Sequence, residues 1–170
     1  MLLRDVPAAL PRYLSALLPH GSADRVDANV LIGGHLAASD PDFIRREGIS
    51  RIIKMNGDDD GRYFRDVTYF VIPALDMPNY DISSDAVAAV QALVAGLEAN
   101  EQILVHCHAG VSRSATVVLL YLMAVRGLSL DAAFAHLRRV RPVIAPNAGF
   151  MRTLRAADAS LCRLRRDIAE

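Results

Sequence analysis

The chain has 170 residues, 52% of them hydrophobic and 22% charged, with 19 acidic and 19 basic side chains and a formal net charge of zero. That much apolar surface offsets the entropy of ordering a single domain and excludes wholesale disorder. The charge balance gives no general attraction to nucleic acid or to an anionic membrane, so any affinity for phosphate has to be local.

Val6, Leu10, Tyr13, Leu14, Leu17 and Leu18 recur at intervals of three and four and predict an amphipathic helix ended by Gly21. Residues 1–26 read as this helix and a linker, ahead of a main domain over 27–170. The opening Met1-Leu-Leu-Arg-Asp-Val-Pro places an acid and a proline where a signal peptide needs an apolar core, so export is not expected. Asn29 to Gly33 reads as a short strand. Ser39-Asp-Pro caps a helix to about Glu47 with Phe43 and Ile44 inward, and Arg51 to Met55 is the next strand. A polar turn, Asn56 to Gly61, leads to a strand over Thr68 to Ile72 and then to a loop rich in breakers from Pro73 to Tyr80.

Ser83 or Ser84 is expected to cap a helix to about Glu98, with Val87, Val90, Leu93, Val94 and Leu97 on one face. Gln102 to His106, apolar through Ile103, Leu104 and Val105, reads as a central strand buried on both faces. Three helices follow: Ser114 to Val125, one capped by Ser129 to about Val140, and one starting at Asn147. Ala115 to Val125 is shorter than the roughly 20 apolar residues that cross a bilayer, so no membrane span is expected. The order of elements predicts an α/β fold with a central, mostly parallel sheet of four to five strands flanked by helices.

The chemistry concentrates in His106-Cys107-His108-Ala109-Gly110-Val111-Ser112-Arg113-Ser114, between a buried strand and a helix at the carboxyl edge of the sheet. In such a turn the amides of His108, Ala109, Gly110, Val111, Ser112 and Arg113 converge on one point, and the following helix adds the positive end of its dipole. Gly110 is the residue free to take positive φ or to let an oxyanion approach the backbone. Arg113 returns over this cradle with a fork that binds two phosphate oxygens. The amides, the dipole, Arg113, and with them His106 and the Ser114 hydroxyl, favour the thiolate of Cys107, whose pKa such surroundings bring to between roughly 3.5 and 7.5. An ionised sulfur beneath a bound phosphate is set for in-line attack, giving a phosphocysteine without a metal. Adjacent His106, Cys107 and His108 are poorly placed to share one tetrahedral ion and no second ligand pair follows, so no metal and no cofactor are expected.

A cysteine, five residues, an arginine and a serine, with histidine before the cysteine, resembles the signature of the cysteine-based protein tyrosine phosphatase superfamily. His-Cys-His-Ala-Gly-Val-Ser-Arg-Ser is most similar to its dual-specificity subgroup, with His108 in a variable position. Val30-Leu-Ile-Gly33, Tyr121-Leu-Met and Arg141-Pro142-Val-Ile-Ala-Pro146-Asn147-Ala-Gly149-Phe150 extend the likeness from about residue 27 to 157. The resemblance implies a phosphatase catalytic domain over 27–170, a shallow pocket for phosphotyrosine and phosphoserine/threonine in proteins, and support of the loop by Asn147 and Ser114, which also help the sulfur leave. Length and leading helix resemble the small poxvirus members, which would place a viral version in host cytoplasm or virion.

A phosphate ester also needs a general acid on a loop beside the pocket. Of Asp76, Asp81 and Asp85, Asp76 follows the strand Thr68 to Ile72 and precedes Cys107 by a spacing similar to that of the subgroup, and it is the assigned acid. Asp81 reads as capping or preceding the next helix, Asp85 as a residue inside it, and Asp58-Asp59-Asp60 as a solvated turn. Phosphoinositides or other non-protein esters stay open as substrates, although family members that prefer inositol lipids carry lysines inside the loop where this chain has His108. A pseudophosphatase that only binds phosphate is the third reading, and intact Cys107, Arg113 and Asp76 weigh against it. Cys162 reads as a core or half-buried thiol among Leu161, Leu164 and Ile168, and His20, His35 and His136 as surface or capping residues. Two cysteines are too few for a disulfide framework, which points to a reducing, cytoplasmic setting. The leading helix either docks on its own domain or forms a homodimer across a two-fold axis.

Overall fold

A computed structural model describes residues 22–57 and 63–169. The predicted leading helix, His20 and the Asp58-Asp59-Asp60 turn lie outside the described residues.

Five strands form one sheet: β1 (Ala23–Arg25), β2 (Val30–Gly33), β3 (Ile49–Lys54), β4 (Thr68–Val71) and β5 (Gln102–His106), in the spatial order β1-β2-β5-β3-β4. All neighbours are parallel except β1, which runs antiparallel to β2. The strands and the mostly parallel sheet are as expected from the sequence, but β1 occupies residues read as linker. Three residues carry no periodicity to detect, and β1 holds its place through backbone pairing, Ala23 opposite Gly33 and Arg25 opposite Leu31.

Helices cover both faces: α1 (His35–Ala38), α2 (Pro41–Glu47), α3 (Ser83–Glu98), α4 (Arg113–Ala124), α5 (Leu130–Val140) and α6 (Ala148–Ala169). Alternation along the central strands divides the core in two. Val30, Ile32, Ile53, Ile103 and Val105 pack with α3, α4, α5 and α6, whereas Leu31, Ile52 and Leu104 pack with Ala37, Ala38, Phe43 and Ile44 of α1 and α2. Each fully buried aliphatic side chain of this kind contributes about 1.5–3 kcal/mol relative to exposure.

Helix starts follow local chemistry. Asp40 caps α2 by accepting from the amides of Asp42 and Phe43, and Ser129 caps α5 by accepting from Ala132. The predicted serine cap of α3 is corrected: Ser83 is the first helical residue, and the Asp81 carboxylate accepts from its amide at 2.9 Å. Val87, expected on the inward face of α3, is half exposed, because the small residues Ala86, Ala89 and Gly96 carry the close packing there. Cys162 is exposed rather than half-buried, since the distal part of α6, including Leu164 and Ile168, faces solvent.

Gly33, His106 and Lys54 are register partners at the carboxyl ends of three adjacent parallel strands. The loops that leave these ends therefore meet at one edge, and that shared edge positions the site.

Candidate active site

The loop from Cys107 to Ser112 joins β5 to α4, and its carbonyls are taken in succession by the scaffold. His108 O accepts from the His35 amide (2.9 Å), Ala109 O from Arg141 Nη2 (3.1 Å) and Gly110 O from Arg141 Nε (2.7 Å). Val111 O accepts from the Ala145 amide and Ser112 O from the Thr116 amide, each at 2.9 Å. In a trans peptide the N–H points opposite to the preceding C=O, so carbonyls held outward turn the amides of residues 109–113 inward. Gly110 takes φ 69°, as expected, and a Cβ there would lie 2.5 Å from Gly33 O, so it is the β2 backbone whose close approach also requires glycine.

Cys107 is 1% exposed at the centre of this loop. Its Sγ lies 3.3 Å from Ser114 Oγ and accepts from the Gly110 amide at 3.3 Å. Burial pushes the thiol up, but the Ser114 hydroxyl and amide, the Arg113 charge and the Val111 amide outweigh it and hold Cys107 below the ordinary thiol value. His106 acts on the backbone: its Nδ1 lies 3.2 Å from Cys107 O, and it carries the hydrogen because a carbonyl only accepts.

Arg113 opens α4 and is braced by carbonyls of two neighbouring loops, Nη1 donating to Ala74 O at 3.1 Å and to Met55 O at 3.5 Å. Its Nε is buried without a hydrogen-bond partner, 3.7 Å from Asp76 Oδ2. A buried donor left unmade costs about 1–3 kcal/mol, so this atom calls for an acceptor.

Asp76 stands on the loop after β4 and its Oδ1 accepts from Ser112 Oγ (2.7 Å) and Asn147 Nδ2 (2.9 Å). Asn147 ties the loop to α6: its amide donates to Ser112 Oγ at 3.2 Å and its Oδ1 accepts from the Phe150 amide at 3.0 Å. Arg152 donates to Pro78 O at 3.0 Å, and the Gly149 backbone comes so close that a Cβ would lie 2.1 Å from the same oxygen. The first turn of α6 thus seats the acid loop. Asp81 and Asp85 lie elsewhere, Asp81 at the start of α3 and Asp85 accepting from Tyr80 Oη at 2.6 Å.

The fold therefore brings together Cys107, Gly110, Ser112, Arg113, Ser114, Asp76 and Asn147. His108 sits at the rim, exposed, with its ring stacked on that of His35 at 6.1 Å between centroids. Sequence reasoning left three participants unassigned. His35 read as a surface or capping residue and is a neighbour of the loop. Ser112 counted only as a backbone donor, yet its hydroxyl links Asp76 to α6. Arg141, 1% exposed, read only as part of a family stretch; an arginine between an amphipathic helix and a proline gives no sign of its destination. His136, expected as a surface or capping residue, is partly buried with Nε2 3.1 Å from Val26 O. Among the described residues no group of three or more His, Cys, Asp or Glu side chains is placed to share a metal ion, and no helix is long and apolar enough to cross a membrane.

Residues 30–160 match the family model "Dual specificity phosphatase, catalytic domain". The rat protein "Dual specificity protein phosphatase 12" is 31% identical over 142 residues, a match covering 82% of this chain and 42% of that protein, so the chain spans less than half the length of this relative. The crystal structure of human DUSP28 superposes with a TM-score of 0.77 at 31% identity, covering 82% of this chain and 94% of that one. A mouse putative dual specificity phosphatase complexed with zinc tungstate superposes with a TM-score of 0.80 at 30% identity, covering 96% and 97%.

Proposed function

The chain belongs to the dual-specificity phosphatase family, and on that footing we propose that it hydrolyses phosphotyrosine, phosphoserine and phosphothreonine in proteins through a phosphocysteine intermediate. The observation that carries the reading is the meeting of a thiol held toward its ionised form, a buried guanidinium nitrogen lacking an acceptor and a carboxylate 3.7 Å from that nitrogen. The tungstate of the mouse relative supports it, being a tetrahedral oxyanion of phosphate's shape.

The phosphate dianion lies on the inward amides and on Arg113, with phosphorus above Cys107 Sγ. The thiolate attacks phosphorus as the ester P–O bond breaks, and Asp76 gives its proton to the departing oxygen. Asp76 Oδ1 is engaged by two donors, so Oδ2 is the oxygen left to carry that proton. In the second step Asp76 as carboxylate takes a proton from water, the resulting hydroxide attacks phosphorus, and the S–P bond breaks. The Ser114 hydroxyl stabilises the sulfur as it leaves with its electron pair.

Asp76→Asn is expected to lower kcat by about 10²–10⁴-fold on alkyl phosphates such as phosphoserine, and less on aryl esters whose oxygen leaves without help. An unchanged kcat on alkyl phosphates in this variant would move the acid role elsewhere. Protein phosphoesters are separated from phosphoinositides by a panel of phosphopeptides and inositol lipids assayed without added metal. Turnover confined to the lipids would replace the protein reading. The free nucleophilic thiol suits a reducing cytoplasm. Homodimerisation through residues 1–20 is tested by sedimentation of the intact chain against a chain lacking them, and two monomers of equal behaviour would remove it.

A further inference from the structure

Five successive loop carbonyls, His108 to Ser112, are held outward, and Arg141 supplies the donors for two of them. The other three take backbone amides, those of His35 at the start of α1, Ala145 in the 141–147 segment and Thr116 in α4, so Arg141 is the side chain that donates to two of the five. We propose that Arg141 is a positioning residue for the oxyanion cradle: by taking Ala109 O and Gly110 O it turns the amides of Gly110 and Val111 toward Cys107 and the bound phosphate. This rests on the phosphatase reading above and assigns a role to a side chain outside the Cys107-to-Arg113 loop.

The geometry is specific to arginine. Nε and Nη2 reach two consecutive carbonyls at 2.7 and 3.1 Å, as a planar fork does and an ammonium does not. On its other side Nη1 donates to Asp24 Oδ2 (2.6 Å), Ser22 Oγ (3.1 Å) and Ser22 O (3.4 Å), so the orientation is anchored at and beside β1. A cation only 1% exposed is costly to desolvate, and the Asp24 carboxylate with the polar groups around it offsets that cost. The two amides concerned belong to the electrostatics of sulfur: Gly110 N–H donates to Sγ, and Val111 N–H helps to hold the Cys107 thiol down. A cation needed only to fill the core would have no reason to grip the backs of the peptides whose fronts face the nucleophile.

The test uses the full chain with Arg141→Lys and Asp24→Asn, and reads the Cys107 thiol pKa from alkylation rate against pH, tungstate affinity by competition, and melting temperature. Arg141→Lys is expected to raise the thiol pKa by about one unit, a tenfold loss of thiolate below it, and to weaken tungstate binding by about tenfold or more. Asp24→Asn should move both in the same direction by less. A merely structural role would lower the melting temperature while leaving both readouts of the folded fraction unchanged, and that result in Arg141→Lys overturns the proposal. If Arg141→Lys does not fold, Asp24→Asn decides through the backbone amide chemical shifts of Gly110 and Val111, and unchanged shifts with an unchanged thiol pKa overturn it. Failure of the unsubstituted chain to bind tungstate would instead strike the phosphatase reading, so the two failures are distinct.

Discussion

Replacing Cys107 with serine is expected to abolish turnover, by on the order of 10⁵-fold or more, while binding of phosphate or tungstate survives. The loss follows because a serine hydroxyl stays protonated where a thiol is ionised, so no nucleophile remains under the phosphorus. Binding survives because the donors are elsewhere, in loop amides fixed from behind and in Arg113. Turnover of Cys107→Ser near the native rate would refute covalent catalysis. A stability effect accompanies it. The Cys107 thiol lies below its ordinary value in the fold, so between that lowered value and the unfolded value near 8.5 the unfolded chain binds one proton more than the folded chain. Stability then rises with pH across that window and is lost as pH falls through the folded value. The serine variant lacks this slope, and urea unfolding at several pH values in that window compares the two.

Arg113→Lys is expected to cost about 10³-fold or more in kcat/KM, with both kcat and KM affected. Two losses combine. A lysine places a point charge where a planar fork spans two phosphate oxygens. It also gives up the brace from Nη1 to Ala74 O, two residues before Asp76, so the acid loses a support at the same time. A lysine variant that retains more than a tenth of the native kcat/KM would show that charge alone suffices at this position. Binding of tungstate to Arg113→Lys should weaken as well, in contrast to Cys107→Ser, and the pair of variants separates oxyanion recognition from nucleophilic attack.

Much of this was legible in the chain because short-range chemistry dictates it. Ile103-Leu104-Val105 announces a strand buried on both faces, and the sheet places those side chains alternately in the two cores. Ser129 caps a helix by its own hydroxyl, as its type favours. Gly110 takes the positive φ that its place in the turn demands. What was not legible depends on distance along the chain. Arg141 reaches back 117 residues to Asp24, and no spacing rule connects them. His35 meets His108 only because β2 and β5 end in register. Ile82, not a serine, stands at the cap position of α3, and the Asp81 carboxylate takes the Ser83 amide beside it, so the predicted start was off by one residue of register. Val87 and Cys162 were assigned inward by periodicity alone, which cannot tell how far a neighbouring layer extends.

The sheet's division of the interior has an evolutionary corollary. The catalytic loop opens into α4, whose Ala115, Val117 and Val118 belong to the larger cluster, so a change of volume there shifts the machinery itself. Phe43, Ile44, Ile49 and Ile52 sit in the smaller cluster behind the sheet, which meets the cradle through α1, so a lost methylene there weakens folding before it reaches the loop. Selection for turnover alone would leave that back wall free to drift as far as stability allows, and descendants of this sequence should diverge first behind the sheet.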